Sequence, residues 1–182
     1  MTKEEIATLG GGCFWCIEAV FQRLEGVSKV VSGYSGGTVD NPSMNRVYEG
    51  DTGHAEVIQI TFDPDAISYK EILEIFFVMH DPTTLNRQGN DVGDEYRSVI
   101  FYHNDAQKAV AEDVIRNYAK DLWDDPIVTE IKQLDKFWPA DENNQDFFNK
   151  NPGSGYCQVI INPKIQKLRQ EFAKKLSKKY EW

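Results

Sequence analysis

Two cysteines three residues apart, in the run Gly10-Gly11-Gly12-Cys13-Phe14-Trp15-Cys16, are the side chains of this sequence best placed to do chemistry. The glycines let the backbone bend from a strand into a helix and keep bulk away from Cys13. The opening turn of a helix presents unpaired amides and a partial positive charge, which favour thiolate over thiol. The pattern therefore predicts a reactive Cys13, where a buried, inert cysteine is the plainer alternative. Cys157 is the third and last cysteine, and three is an odd number, too few for a disulfide scaffold. The glycine run is not a phosphate loop, because no Gly-Lys-Ser/Thr follows it. A zinc site would need Cys13 and Cys16 joined by Cys157 and one of His54, His80 or His103, and these show no paired spacing.

Glu56 is the second informative residue. In Glu56-Val57-Ile58-Gln59-Ile60-Thr61-Phe62 it shares parity with Ile58, Ile60 and Phe62, so a strand here turns it toward the apolar face. A carboxyl in that company holds its proton to higher pH than usual. A neutral acid near a thiolate is a proton donor for some oxygen. The alternative is a strand-end glutamate turned to solvent or paired with a cation.

The elements that must position these groups can be read from periodicity. Residues 5–9 form a short strand, and Phe14, Ile17, Val20, Phe21 and Leu24 mark a helix ending at Gly26. Val27, Val30 and Val31 suggest a second strand stopped by Gly33-Tyr34-Ser35-Gly36-Gly37, with a polar loop to Gly53 and a strand over 56–62. Ser68-Tyr69-Lys70-Glu71 is a capping box opening a helix with Ile72, Ile75, Phe76 and Met79 on one stripe. After a loop over 80–95 come a strand over 97–103, a helix from the Asn104 cap to about Leu122 and a strand over 127–134. Asn162-Pro163 begins a last helix that buries Ile165, Leu168, Phe172 and Leu176. The first 103 residues thus read strand–helix–strand–strand–helix–strand. That is the split βαβ or ferredoxin-like order, a two-layer α+β core with added helices and a C-terminal extension. One catalytic domain over 1–182 is expected, with a basic C-terminal helix from about 163.

Composition narrows the class of function. With 182 residues, 41% of them hydrophobic and 12% aromatic, the chain can bury a core and is not disordered. No apolar run approaches the ~20 residues that span a bilayer, and Lys3, Glu4 and Glu5 stand where a signal peptide would be apolar. A soluble, cytoplasmic protein with no membrane partner is expected. A net charge of −9 argues against nucleic acid. Residues 163–182 nonetheless carry +5, read as a solvated helix face, with docking of an acidic partner as the alternative.

Several motifs together then carry a family resemblance. Gly12-Cys13-Phe14-Trp15, Gly33-Tyr34-Ser35-Gly36-Gly37, Gly50-Asp51-Thr52-Gly53-His54-Ala55-Glu56, His80-Asp81-Pro82 and Arg87-Gln88-Gly89-Asn90-Asp91 follow in order. With Tyr96-Arg97-Ser98, Asn151-Pro152 and Gly155-Tyr156-Cys157, they closely resemble peptide methionine sulfoxide reductase A over residues 9–157. The resemblance implies thiol-dependent reduction of the S epimer of methionine sulfoxide. It implies Cys13 as the nucleophile on sulfur, Glu56 as the acid for the sulfoxide oxygen and Tyr96 as a hydrogen-bond partner of that oxygen. Phe14 and Trp15 would wall the substrate methyl group, and Asp91 would fix the substrate's polar end. Attack would leave a sulfenic acid on Cys13, which a second thiol would condense to a disulfide for an external dithiol such as thioredoxin to reduce. No bound cofactor or metal is implied, and a monomer is expected.

Two positions depart from the family pattern. Asn41-Pro42-Ser43 is followed by Met44 where a second oxygen-binding tyrosine is usual, so either Tyr96 and Glu56 suffice or Tyr34 or Tyr48 substitutes. Cys16 stands where many relatives have glycine, so both Cys16 and Cys157 could resolve the sulfenic acid. Cys157 matches the family's resolving position and is favoured, with Cys16 as a relay. The rival readings are a thioredoxin-like Cys-x-x-Cys disulfide oxidoreductase, which leaves Glu56 and Asp91 unexplained, and a zinc-stabilised or cysteine-sensing binding module. His54 and His80 are expected to pin loops. Trp123, Phe137 and Trp138 are expected to pack, and Trp182 is given no role.

Overall fold

The structure, a computed structural model, describes residues 3–180; Met1, Thr2, Glu181 and Trp182 lie outside the described residues. The chain begins with β1 (Glu5–Gly10), α1 (Phe14–Phe21), β2 (Val27–Ser35), α2 (Met44–Tyr48), β3 (Ala55–Phe62) and α3 (Tyr69–Met79). A two-residue hairpin, β4 (Arg87–Gln88) and β5 (Asp91–Val92), precedes β6 (Val99–Tyr102) and α4 (Asp105–Val114). The helix runs on through a wide turn at Ile115–Ala119 into α5 (Lys120–Leu122). Then come β7 (Glu130–Gln133), β8 (Phe137–Pro139), α6 (Phe147–Lys150) and α7 (Asn162–Glu171).

Six strands make one sheet in the order β7-β6-β1-β3-β2-β8. The inner pairs are antiparallel, and only β7 joins parallel, on β6. Strand alternation divides the core. Leu9, Ile58, Ile60, Phe62 and Ile100 belong to the main core, together with Ile17, Phe21, Ile72 and Phe76 of α1 and α3. Ala55, Val57, Val99 and Phe101 form a smaller cluster with Leu134 and Phe137. Glu56 leaves β3 on the side of Ile58 and Ile60, as its parity required.

Local chemistry explains the well-read elements. Ser68 Oγ accepts from Glu71 N at 3.0 Å and Glu71 Oε1 accepts from Ser68 N at 3.4 Å, completing the capping box of α3. Asn104 Oδ1 accepts from Gln107 N at 2.9 Å to cap α4. The histidines pin loops as expected: His54 accepts from Gly37 N and contacts Val39 O, and His80 contacts Phe76 O and Ser98 Oγ.

Other elements differ from the pattern. β2 does not stop at Gly33 but continues to Ser35, paired with β3 on one side and β8 on the other, and a Cβ at Gly33 would lie 2.4 Å from Trp138 O. That glycine marks the close approach of β8, not a strand end. The polar loop before Gly53 contains α2, whose cap is Ser43 Oγ accepting from Arg46 N at 3.1 Å. α1 ends at Phe21, short of the expected end at Gly26, and the basic helix ends at Glu171. Beyond it the chain turns back, with Leu176 bridged to Leu24 and Ser177 N donating to Arg23 O. Among the described residues no helix is long and apolar enough to cross a membrane.

Candidate active site

Cys13 occupies the N-cap of α1, directly after Gly12, whose φ of +89° is open to glycine. A Cβ at Gly12 would also stand 2.6 Å from Gln88 Cγ. Gln88 cannot retreat freely, because its side chain accepts from Asp81 N and donates to Asp81 O, both at 2.9 Å. The glycine thus lets the β4–β5 hairpin lie against the helix start.

The N-cap itself has no side-chain hydrogen bond. Its work is done from β3, where Glu56 Oε1 accepts from Phe14 N at 3.0 Å. This bond carries the carboxyl to the start of the Cys13 helix. Glu56 is fully buried, its other oxygen has no partner, and burial pushes its pKa up to about 8. The Phe14 amide pulls the other way, while Glu95, Asp91 and Cys16 add to the rise. Glu56 is therefore a neutral acid at pH 7.

The two thiols are hydrogen-bonded to one another. Burial, then the hydrogen bond to Cys16 and, at pH values where it is ionised, the Glu56 carboxylate raise the Cys13 thiol well above its usual range. The same hydrogen bond lowers Cys16 to about 7, with a smaller contribution from Lys164. The helix start was expected to make Cys13 the thiolate. In the resting structure desolvation outweighs it and holds the Cys13 thiol in its protonated form.

Aromatic rings surround this pair. Phe14 is fully buried with its ring 5.5 Å from that of Tyr34. Trp15 is half-buried, stacks on Phe147 at 3.8 Å and meets Tyr156 edge-on at 5.7 Å. Its Nε1 donates to Asn144 Oδ1 at 3.2 Å. Tyr156 Oη contacts Cys16 Sγ at 3.4 Å and donates to Asp91 Oδ2 at 3.3 Å, which ties Asp91 of β5 to the thiols. Tyr96 is half-buried, with a hydroxyl pKa raised by burial and then by Glu56 and Cys13. Tyr48, one turn beyond Met44 on α2, is raised by burial and the same two groups, and its hydroxyl interacts with that of Tyr96.

Cys13, Cys16, Glu56, Tyr96, Phe14, Trp15 and Asp91 thus gather around the start of α1. Cys157 is fully buried and free, one residue beyond Tyr156, with its backbone N donating to Ser154 Oγ at 3.2 Å. Sequence reasoning missed Phe147 and Asn144, for which no local motif exists, and gave Tyr156 no role although it adjoins Cys157. Among the described residues no group of three His, Cys, Asp or Glu side chains could hold a metal ion. The histidines are engaged elsewhere, His103 on Thr8 Oγ1.

The family model for peptide methionine sulfoxide reductase matches residues 5–176. A relative from Natronomonas pharaonis, peptide methionine sulfoxide reductase MsrA, is 51% identical over 171 residues, covering 93% of this chain and 96% of its own. The crystal structure of Mxr1 from Saccharomyces cerevisiae in reduced form is similar with a TM-score of 0.77 and 35% identity, covering 85% of this chain and 90% of that one. Mxr1 in complex with Trx2 is similar with a TM-score of 0.53 and 27% identity, over 80% and 85% of the two chains.

Proposed function

Because the chain belongs to the peptide methionine sulfoxide reductase family, we propose that it reduces the S epimer of methionine sulfoxide, free or in peptides, with Cys13 as nucleophile and Glu56 as acid. The observation that carries the assignment is the buried Glu56 carboxyl, neutral at pH 7 and fastened to the first amide of the Cys13 helix.

Oxygen leaves sulfur readily only once it is protonated. Glu56 gives its proton to the sulfoxide oxygen while Tyr96 and Tyr48 donate hydrogen bonds to it. Cys13 sulfur attacks the substrate sulfur, and the Cys13 proton passes to Cys16, which already accepts its hydrogen bond. The S–O bond breaks as the protonated oxygen bonds to the Cys13 sulfur. The bond between the two sulfurs then breaks with its electron pair returning to the substrate sulfur, so methionine leaves and Cys13 holds the oxygen as a sulfenic acid. Phe14 and the Trp15 face supply the apolar wall for the methyl group, and Asp91 faces the substrate's polar end.

Resolution requires a second thiol. An attacking thiol works best with a pKa near ambient pH, and Cys16, at about 7 and in contact with Cys13, meets that condition. Cys16 therefore condenses first, releasing water and forming the Cys13–Cys16 disulfide. Cys157 then exchanges onto Cys16, and an external dithiol reduces the resulting disulfide. Thioredoxin is the reductant proposed here, by analogy with the complex of Mxr1 and Trx2. The four antiparallel strands β6-β1-β3-β2 support the ferredoxin-like reading of the core. We read the chain as one catalytic domain, a monomer acting in the cytoplasm.

The test is turnover of the separate S and R epimers of a methionine sulfoxide peptide with dithiothreitol, by wild type and Cys13→Ser. Turnover of the S epimer alone, lost in the variant, is expected. Turnover surviving in Cys13→Ser would transfer the nucleophile to another thiol.

A further inference from the structure

Among the described residues, three buried side-chain oxygens have no hydrogen-bond partner: Glu56 Oε2, Tyr34 Oη and Tyr69 Oη. The first two are neighbours. Tyr34 on β2 lies directly opposite Glu56 on β3 in the antiparallel ladder, so both side chains leave the sheet on the same face. They are closed off from solvent, at 1% and 0% exposure. Buried polar atoms are nearly always satisfied, so an orphaned pair beside a reacting centre points to a second state that satisfies it.

The reaction supplies that state. Once Glu56 has given its proton away, a carboxylate remains in a dry site with one donor, the Phe14 amide on Oε1. The charged groups that face it are unhelpful. Asp91 and Glu95 approach from the hairpin and the turn after it, and Cys16 from α1, and each raises its proton affinity. Cys13, Tyr48 and Tyr96 complete its surroundings. Burial, then Glu56 itself, with smaller repulsion from Tyr48, Asp141 beyond β8 and Cys13, raises the Tyr34 hydroxyl, so the tyrosine stays protonated and keeps an O–H to offer.

We propose that Tyr34 is a positioning residue for the acid: its O–H donates to Glu56 Oε2 when the carboxyl has released its proton, and so holds the charge the reaction leaves there. This deepens the assignment of Glu56 as the acid and rests on it. The contact favours the ionised form, so removing it makes Glu56 a weaker acid and a slower donor.

Pre-reduced wild type, Tyr34→Phe and Glu56→Gln are mixed with an S-sulfoxide peptide without reductant, and the single-turnover rate is followed across neutral and alkaline pH. Wild type is expected to slow as pH rises through about 8. Tyr34→Phe is expected to lose about tenfold at neutral pH and to carry its alkaline limb about one unit higher, the effect of one hydrogen bond to a charged group. A limb superimposed on that of wild type overturns the proposal even if the rate falls, since a merely structural tyrosine would lower the rate without moving the limb. A wild type with no alkaline limb removes Glu56 as the acid and Tyr34 with it. Infrared titration of wild type serves if the variant does not fold. The Glu56 carboxyl band, assigned by its loss in Glu56→Gln, should vanish together with a shift in a tyrosine C–O stretch. Its vanishing alone also overturns the proposal.

Discussion

A carboxyl buried without a cation is costly to the fold, and Glu56 shows what the cost secures. Folded, it keeps its proton to about pH 8; unfolded, it releases it near its ordinary 4.5. The folded chain therefore binds one more proton between these values. The stability from this group is whole below 4.5 and is lost as pH rises toward 8. Glu56→Gln removes the titration. Its turnover should fall about 10²–10⁴-fold, the usual worth of a general acid. Its Tm at pH 7 should exceed that of wild type, with a flatter dependence on pH, as thermal denaturation at a series of pH values would check. A Tm that falls at every pH would mean that the carboxyl is an ordinary structural hydrogen-bond acceptor. Met44→Tyr should change S-sulfoxide turnover by no more than about tenfold, because Tyr48 already reaches Tyr96 from the next turn of α2. A larger gain in kcat would show that the oxygen lacks a donor here. Glu56 could be read from strand parity, since parity is local. The thiol pair could not. Which sulfur holds the proton depends on burial by distant segments, invisible in Gly12-Cys13-Phe14-Trp15-Cys16 alone.

The elements that carry the aromatic wall are fastened by another buried carboxyl. Glu18 of α1 accepts from Ser32 Oγ of β2 at 2.9 Å and from Phe147 N of α6 at 3.1 Å. Gln145 accepts from Ser32 N and donates to Ser32 O, completing the join. Arg23 donates to Asn149 Oδ1 at 2.6 Å and lies over the Phe148 ring. Residues 144–149 are thus moored to α1 and β2 by side chains, and the mooring sets Phe147 against Trp15. Glu18→Ala should cost about 2–4 kcal/mol from a cavity and two broken bonds. It should raise KM more than it lowers kcat, measurable by denaturant titration and steady-state kinetics. A KM equal to that of wild type would detach the segment from substrate binding. Elements with a local code were legible: the Ser68 box, the Asn104 cap and the alternation of β3. α2 and β8 span five and three residues, too short for any period to register. The end of β2 was misplaced because Gly33 answers to Trp138, more than a hundred residues away.

Across the whole molecule, the proposed cycle joins the first helix to the segment that precedes α7. Cys13 and Cys16 are three residues apart, whereas Cys157 arrives from the far end of the chain. With thioredoxin as reductant, Cys16→Ser should lose most turnover if Cys16 condenses first. Cys157→Ser should still form one disulfide per molecule yet recycle poorly. Thiol counting after one equivalent of sulfoxide separates the two, and unimpaired condensation in Cys16→Ser would reverse the order. The terminal segment, helical to Glu171, spends its cations in part on the fold. Lys175 pairs with Glu71, and Lys167 Nζ donates to Val78 O at 2.9 Å. Tyr156 stands between these two ends, edge-on to the Trp15 indole and joined by one peptide bond to Cys157. Any swing that brings Cys157 to Cys16 must draw that phenol ring from the indole. The emission of one tryptophan should then change with each step of the cycle, giving the enzyme a built-in optical gauge of its own oxidation.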